Sequence, residues 1–182
     1  MKTWIRGTVL GAVALGLLAC GGGAKQLDGG TYDDAPNWYN DPVKGCGVGS
    51  VKYRGIKDLA RKSAISAARE ELASQLKTVT QGMVKNYQQQ GETDGQAFTE
   101  ELQTRVSREV TNETMVGSRV AATALRGDEF YAMVCLDPET FADAFDRMKD
   151  LSGKQREALK KRAKAEFADL DKQIDKLKTE EN

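Results

Sequence analysis

The sequence predicts an α+β domain in which one long helix packs on a short antiparallel sheet, in the order β-α-α-β-β-α, with an extra C-terminal helix. Three features favour this fold: alternating glycines in an extended segment at 43–51, a helical period from Ile56 to about Gln90, and two strand-like segments around a turn at 126–128. The 182 residues suit one domain with terminal segments. We divide the chain into a signal peptide 1–19, a tether 20–35, an α+β domain 36–148 and a charged C-terminal helix 149–182.

The N-terminus is typical of a bacterial secretion signal with a lipid attachment site. Lys2 and Arg6 precede an apolar stretch that is shorter than the roughly 20 residues a membrane-spanning helix needs. The stretch ends in Leu-Leu-Ala-Cys, which resembles a lipobox, so we expect cleavage before Cys20 and acylation of that residue. Gly21 in place of Asp favours the outer membrane, by resemblance to known lipoproteins. An ordinary signal peptide, the inner membrane and the cell surface stay open as alternatives.

The domain is expected to begin with a strand and a long helix. Trp38 and Tyr39 should lie at one edge of the core. The glycines of the segment 43–51 predict close packing against a helix, or a bulge, and their spacing does not fit a phosphate-binding loop. The helix carries one apolar stripe expected to face the sheet: Ile56, Ala60, Ala64, Ala67, Ala68, Leu72, Leu76, Val79 and Met83.

The second half of the domain is expected to contain a helix, a hairpin and another helix. Thr93 and Gln96 form a capping-box pattern before a helix with the apolar positions Phe98, Leu102, Val106 and Val110. Strands are predicted at 116–125 and 129–136, with Gly127 in the turn. Asp137 and Pro138 should begin the next helix, whose apolar side is Phe141, Ala144, Phe145 and Met148.

The last segment predicts a single charged helix. Its apolar seam steps by three and four residues through Leu159, Ala163, Phe167, Leu170, Ile174 and Leu177, and could pack on the parent domain or on a partner helix. Its basic residues are Lys154, Arg156, Lys160, Lys161, Arg162 and Lys164. We interpret them as a solvated helix surface, with a patch for lipid or cell-wall polymer, or pairing between copies, as the alternatives.

Composition argues against most catalytic chemistry. The chain has no histidine, which excludes Ser-His and Cys-His nucleophile pairs and the common zinc sites. Lys+Arg and Asp+Glu each number 27, and this zero net charge argues against nucleic-acid binding. We therefore expect no catalytic residue, metal, cofactor or small-molecule substrate. A histidine-free hydrolase stays an alternative, with Ser50, Ser63, Ser66, Lys57 and Lys62 as the available groups.

Two cysteines remain once Cys20 is acylated. Cys46 and Cys135 both fall on predicted strands of one small sheet, in a compartment that favours oxidation. We predict a disulfide between them, provided that the two strands are neighbours.

The order of short motifs resembles the lipoprotein-20 family of Gram-negative bacteria, which includes a flagellar outer-membrane lipoprotein. The motifs are Pro36-x-Trp38, Gly47-Val48-Gly49, Leu59-Ala60-Arg61-x-x-Ala64, Ala67-Ala68-Arg69-x-x-Leu72-Ala73, Val116-Gly117 and Phe130-Tyr131, within about 36–148. The resemblance implies a small α+β domain without a known catalytic site, acting in envelope assemblies or flagellar rings.

We therefore expect a noncatalytic, lipid-anchored outer-membrane lipoprotein that acts as a scaffold or assembly module, with its domain in the periplasm. Its partners would be membrane lipid through Cys20 and either another protein or a second copy. A regulator that binds cell-wall polymer or a wall enzyme through the basic block is the alternative.

Overall fold

The computed structural model describes residues 34–89 and 99–180. Several predicted features lie outside them: the signal peptide 1–19, Cys20, the tether as far as residue 33, the capping box of Thr93 and Gln96, and Phe98. The predicted fold class is confirmed, because the described residues form helices and one antiparallel sheet. The elements are α1 (Asn37–Asn40), β1 (Cys46–Lys52), α2 (Lys57–Gln89), α3 (Glu100–Val116), β2 (Arg119–Arg126), β3 (Glu129–Cys135), α4 (Pro138–Ala144) followed by a 3-10 turn (Phe145–Arg147), α5 (Gly153–Glu166) and α6 (Leu170–Glu180). None of these helices has the length and apolar character needed to cross a membrane.

The sheet has β3 at its centre, between β1 and β2. β1 pairs antiparallel with β3, and Cys46 lies opposite Cys135. β2 and β3 form the predicted hairpin through Gly127 and Asp128, and Gly127 has φ of 56°, a conformation that favours glycine. Because β3 has a strand on each side and structure over both faces, the residues Phe130–Cys135 are all buried.

The glycines of β1 let α2 lie directly on the sheet, which confirms the prediction of close packing. A Cβ atom at Gly47 would lie 2.2 Å from the carbonyl oxygen of Ala68, and one at Gly49 would lie 2.4 Å from the amide nitrogen of that residue. The buried part of the predicted stripe is Ala60, Ala64, Ala68, Leu72, Leu76 and Met83. Small residues thus face each other on both elements, and the helix backbone approaches the strand.

The opposite face of the sheet packs against α1. Trp38 is buried, and the ring of Tyr39 meets the ring of Tyr131 edge-on, with their centroids 4.8 Å apart. The Tyr39 hydroxyl donates to Oγ of Ser50, whose side chain points away from α2, at 3.3 Å. The two aromatic residues expected at the edge of the core therefore close the second face of the sheet.

α3 lies antiparallel along α2. The side chain of Gln103 donates to the carbonyl oxygen of Gln81 at 3.3 Å, and Oγ of Ser107 donates to the carbonyl oxygen of Lys77 at 3.2 Å. Residue numbers thus rise along one helix as they fall along the other, so the pair is a helical hairpin.

Two strand starts are wrong in the prediction: β1 begins at Cys46 rather than at residue 43, and β2 begins later than residue 116. Val116, expected to start a strand, ends α3 and is 88% exposed, and β2 begins only at Arg119. The helix stops because Gly117 and Ser118 turn back, donating their N–H groups to the carbonyl oxygens of Thr114 and Met115. Val116 is β-branched and so has a preference for strands, but it forms the last residue of α3 despite this preference.

α4 begins as predicted and presents its expected apolar side to the core. The Asp137 carboxylate accepts the backbone N–H of Thr140 at 2.7 Å, and Pro138 occupies the first helical position. The expected apolar residues are buried: Phe141, Ala144, Phe145 and Met148.

The C-terminal segment is two helices rather than the predicted single helix 149–182. α5 ends at Glu166, and α6 starts at Leu170 after a turn. Phe167 in this turn is buried, and its ring contacts the ring of Phe141, with centroids 5.3 Å apart. The predicted seam packs on the parent domain, with Leu159, Ala163, Phe167, Leu170 and Ile174 buried.

Candidate functional site

A disulfide joins β1 to β3. Cys46 and Cys135 lie opposite each other in the sheet, their Cα atoms are 4.0 Å apart, and both residues are fully buried. The backbone N–H of Cys46 donates to the carbonyl oxygen of Val43 at 2.9 Å instead of across the sheet. In an antiparallel pair, opposed residues that do not hydrogen-bond to each other lie closer together than those that do. Cys46 and Cys135 are a pair of the closer kind. The condition set by the sequence, that the two strands are neighbours, is met.

The six basic residues of α5 do not form one continuous patch. Their spacing along the helix divides them between two faces. One face carries Lys154, Lys161 and Arg162, and the other carries Arg156, Lys160 and Lys164.

The first basic face of α5 borders a surface groove. Lys154, Lys161 and Arg162 line this groove of about 500 Å³ together with Glu157. The guanidinium of Arg162 lies 5.5 Å from the centroid of the Tyr87 ring, near the end of α2. A cation over an aromatic face is attracted by the ring quadrupole, so Arg162 also ties α5 to α2.

Two residues of the second basic face of α5, Lys160 and Arg156, are bound within the domain, whereas Lys164 is exposed. Nζ of Lys160 lies 2.8 Å from Oδ1 of Asp143 and also contacts Asp146. Hydrogen bonds to these two carboxylates raise the pKa of Lys160, and the bond with Lys160 lowers the pKa of Asp143. Arg156 donates to the carbonyl oxygen of Met148 at 3.2 Å. These contacts join α5 to α4 and the turn after it, so the two bound residues serve the fold.

An exposed apolar surface lies where β1 leads into α2. Ile56 and Leu59 are 63% and 59% exposed. The predicted stripe places Ile56 against the sheet, and this is wrong because α2 begins at Lys57 and its first buried residue is Ala60. Ile56 precedes the helix, so the helical phase of the stripe does not govern its direction.

Two cations line the groove beside these two aliphatic side chains, and Lys62 follows Leu59 by three residues on α2. Ile56 and Leu59 border a groove of about 340 Å³, whose lining includes Lys52 and Arg54. We name this surface, made of Lys52, Arg54, Ile56, Leu59 and Lys62, the β1–α2 corner. This surface was not predicted, although the sequence carries a signal for it: residues 52–62 contain five cations and a single carboxylate.

One cation of the β1–α2 corner has a carboxylate partner. Nζ of Lys52 lies 3.1 Å from Oδ2 of Asp128, and its hydrogen bond lowers the pKa of Asp128. Arg54 and Lys62 are exposed. The corner therefore keeps positive charge beside its apolar side chains.

The serines and lysines considered for a histidine-free hydrolase do not form a catalytic cluster. Ser50 lies on β1 and accepts the hydrogen bond from Tyr39, whereas Ser63, Ser66, Lys57 and Lys62 lie on α2. Lys62 and Ser66 are one turn apart, but both are exposed. A Ser-Lys nucleophile needs a desolvated lysine, which this surface does not provide. Within residues 34–89 and 99–180, no cluster of Cys, Asp or Glu is arranged to hold a metal ion.

Comparison with protein-family models and with curated proteins finds no match to this chain. The resemblance to the lipoprotein-20 family therefore stays a prediction from the residue pattern. Two features of the described residues bear on function: the buried disulfide and the exposed β1–α2 corner.

Proposed function

We propose that the chain is a noncatalytic outer-membrane lipoprotein, held by acyl chains on Cys20, whose domain faces the periplasm and acts as a scaffold or assembly module. The Leu17-Leu18-Ala19-Cys20 lipobox would supply the anchor. The lipoprotein-20 resemblance implies that the flagellum is one place where such a module would act, and the proposal includes this association.

The disulfide between Cys46 and Cys135 carries this proposal. Disulfides persist in the oxidising periplasm and are rare in the reducing cytosol. This one is buried in the core and closes a loop of 89 residues. On the chain-entropy model, closing such a loop stabilises the fold by about 4–5 kcal/mol. A domain that gains so much from oxidation is suited to the envelope, where the lipobox would direct it.

The noncatalytic part of the proposal is supported by where the ionisable groups lie. Among the described residues, the clear pKa shifts belong to surface ion pairs. The pKa of Arg105, for example, is raised by hydrogen bonds with Asp150 and Glu101, each at 2.9 Å. Catalytic groups instead combine burial with a charged partner inside a cleft.

The alternative of a regulator that binds cell-wall polymer is less well supported. It requires the basic block of α5 to face outward as one patch, whereas Arg156 and Lys160 are bound within the domain. Lys154, Lys161, Arg162 and the exposed Lys164 remain for a polymer.

Acylation is tested by expressing the full chain in a Gram-negative host fed an alkyne-tagged fatty acid. We expect the wild-type chain to incorporate the label and to sediment with outer membranes, and Cys20→Ser to lose both properties. The double variant Cys46→Ala/Cys135→Ala is the matched control and should keep the label. Label that persists in Cys20→Ser, or is missing from the wild type, would contradict the anchor.

The scaffold role is tested by crosslinking the acylated full chain in intact envelopes. We expect one defined complex larger than the monomer. A monomer in detergent, with no crosslinked partner, would refute the role. Binding to purified cell-wall polymer that is lost in Lys154→Gln/Lys161→Gln would establish the alternative.

A further inference from the structure

We propose that the β1–α2 corner docks the folded domain onto an anionic phospholipid surface, with Ile56 and Leu59 entering the headgroup boundary. This inference deepens the proposed function and rests on its placement of the domain beside a membrane. It adds a second contact, made by the domain itself, to the lipid on Cys20.

The apolar part of the corner is a pair of exposed large aliphatic side chains, whereas the more exposed Val116 stands apart from them at the end of α3. Ile56 and Leu59 are more exposed than Val120 and Leu125, the exposed aliphatic residues of β2. The two border one groove between the end of β1 and the first turns of α2. Two neighbouring aliphatic side chains of this exposure gain from entering the boundary between headgroups and acyl chains.

The charges around this pair match an anionic surface. Arg54 and Lys62 are exposed, and Lys52 lines the same groove while it contacts Asp128. Lys57 and Arg61, in the first turns of α2, add to the local positive charge. The first turn also carries Asp58, as helix stability favours, but the five cations among residues 52–62 outnumber this single carboxylate. Basic residues close to a membrane are attracted to anionic lipid. Their long side chains can reach the lipid phosphates while the neighbouring aliphatic side chains are inserted.

A membrane fits this corner better than the other basic surface of the domain. The outward basic face of α5 has only the small side chains Ala158 and Ala165 between its cations, because Leu159 and Ala163 are buried. Charge alone would attract polyanions to both surfaces, but insertion needs large aliphatic side chains. The β1–α2 corner combines the two properties, as interfacial membrane-binding segments do.

The test uses a chain spanning residues 31–182, whose described part forms one compact unit with its own core and disulfide. It lacks Cys20, so the result does not depend on acylation, and a failed acylation test would leave it unchanged. Sedimentation is measured with vesicles of phosphatidylcholine alone and with vesicles of equal parts phosphatidylcholine and phosphatidylglycerol. We expect binding to the anionic vesicles only, weakening as salt rises.

Paired variants locate the binding surface. Ile56→Ser/Leu59→Ser should reduce the partition coefficient roughly tenfold or more, and Arg54→Gln/Lys62→Gln by about thirtyfold. Lys154→Gln/Lys161→Gln removes the same charge from α5 and should change binding less than about twofold, as should Val116→Ser, which removes another exposed aliphatic side chain. Urea unfolding checks that each variant is folded. Leu59→Trp keeps an apolar side chain and should show a blue-shifted fluorescence emission with anionic vesicles.

Several outcomes would overturn the proposal. These are no sedimentation of the wild-type chain, equal sedimentation with both vesicle types, or loss of binding only in the α5 variant. A dimer in solution that Ile56→Ser/Leu59→Ser abolishes, without vesicle binding, would assign the corner to a protein contact instead.

Discussion

Replacing Gly47 of β1 by alanine should destabilise the domain strongly, because the added methyl group has no space. Its Cβ would lie 2.2 Å from the carbonyl oxygen of Ala68 and 2.5 Å from the amide nitrogen of Leu72. Both are backbone atoms of α2, so no side chain can rotate away. Restoring ordinary contact requires α2 to move outward by about 1 Å, which loosens the packing of the whole buried stripe.

The expected loss in unfolding free energy is about 3 kcal/mol, at the upper end of ordinary overpacking costs. Native domains are stable by only about 5–15 kcal/mol, so the loss is readily measured. The assay is urea unfolding of the chain 31–182, followed by circular dichroism. Gly82→Ala is the matched control, since nothing lies within 4 Å of a Cβ at this helical position. It should stabilise the domain by about 0.5–1 kcal/mol.

The two substitutions are expected to have opposite signs, and this contrast tests the helix-on-strand packing. An unfolding midpoint for Gly47→Ala equal to that of the wild type would refute the close approach of α2 to β1. Destabilisation by Gly82→Ala of the same size would refute the assignment of the effect to the sheet contact.

Three further results are expected. The double variant Cys46→Ala/Cys135→Ala should lose about 4–5 kcal/mol of unfolding free energy on the chain-entropy model, and wild-type protein alkylated without reduction should show neither thiol modified by intact mass. Asp137→Ala removes the cap of α4 and should cost about 1 kcal/mol, measured by the same urea assay, with exposed Asp41→Ala as its control. Asp143→Asn tests a pH effect: the Lys160 hydrogen bond lowers the pKa of Asp143, so the stabilisation is complete above the unfolded pKa of about 3.8 and is lost as the pH falls through the lower folded value. The difference between the urea midpoints of Asp143→Asn and the wild type should therefore shrink as the pH falls. A difference that does not change with pH would contradict the stabilising role of the Asp143 carboxylate.

Elements that depend on local spacing could be predicted from the sequence. The alternating glycines of β1 require a close neighbour, and the alanines in the first half of α2 provide one. Asp137 followed by Pro138 starts α4 by local chemistry alone. The fold class could be predicted from the helical and strand periodicities. A helix with one apolar stripe and a short sheet with one apolar face can bury these surfaces in few arrangements other than against each other.

Features that depend on tertiary packing were missed. The seam from Leu159 to Leu177 steps by three and four residues across the break, and neither Gly nor Pro marks the turn at 167–169. The break accompanies the packing of Phe167 against Phe141 and beside Gly45, where a Cβ would lie 3.0 Å from the Phe167 ring. The division of the basic block followed from the same packing, since α4 supplies the carboxylates that bind Lys160.

The edge of the sheet bears on how this domain can assemble. β2 is an outer strand and each of its residues is at least partly exposed, so it could extend the sheet into a second copy. Full-length antiparallel pairing of two β2 strands would place Arg119 of one copy opposite Arg126 of the other, at both ends. Like charges directly opposite destabilise a strand pair, and charged residues are a common protection of edge strands. The C-terminal seam is already buried in its own domain, so it offers no surface for a second copy either. Self-association is thus disfavoured at both of these surfaces, whereas Ile56 and Leu59 of the β1–α2 corner stay exposed.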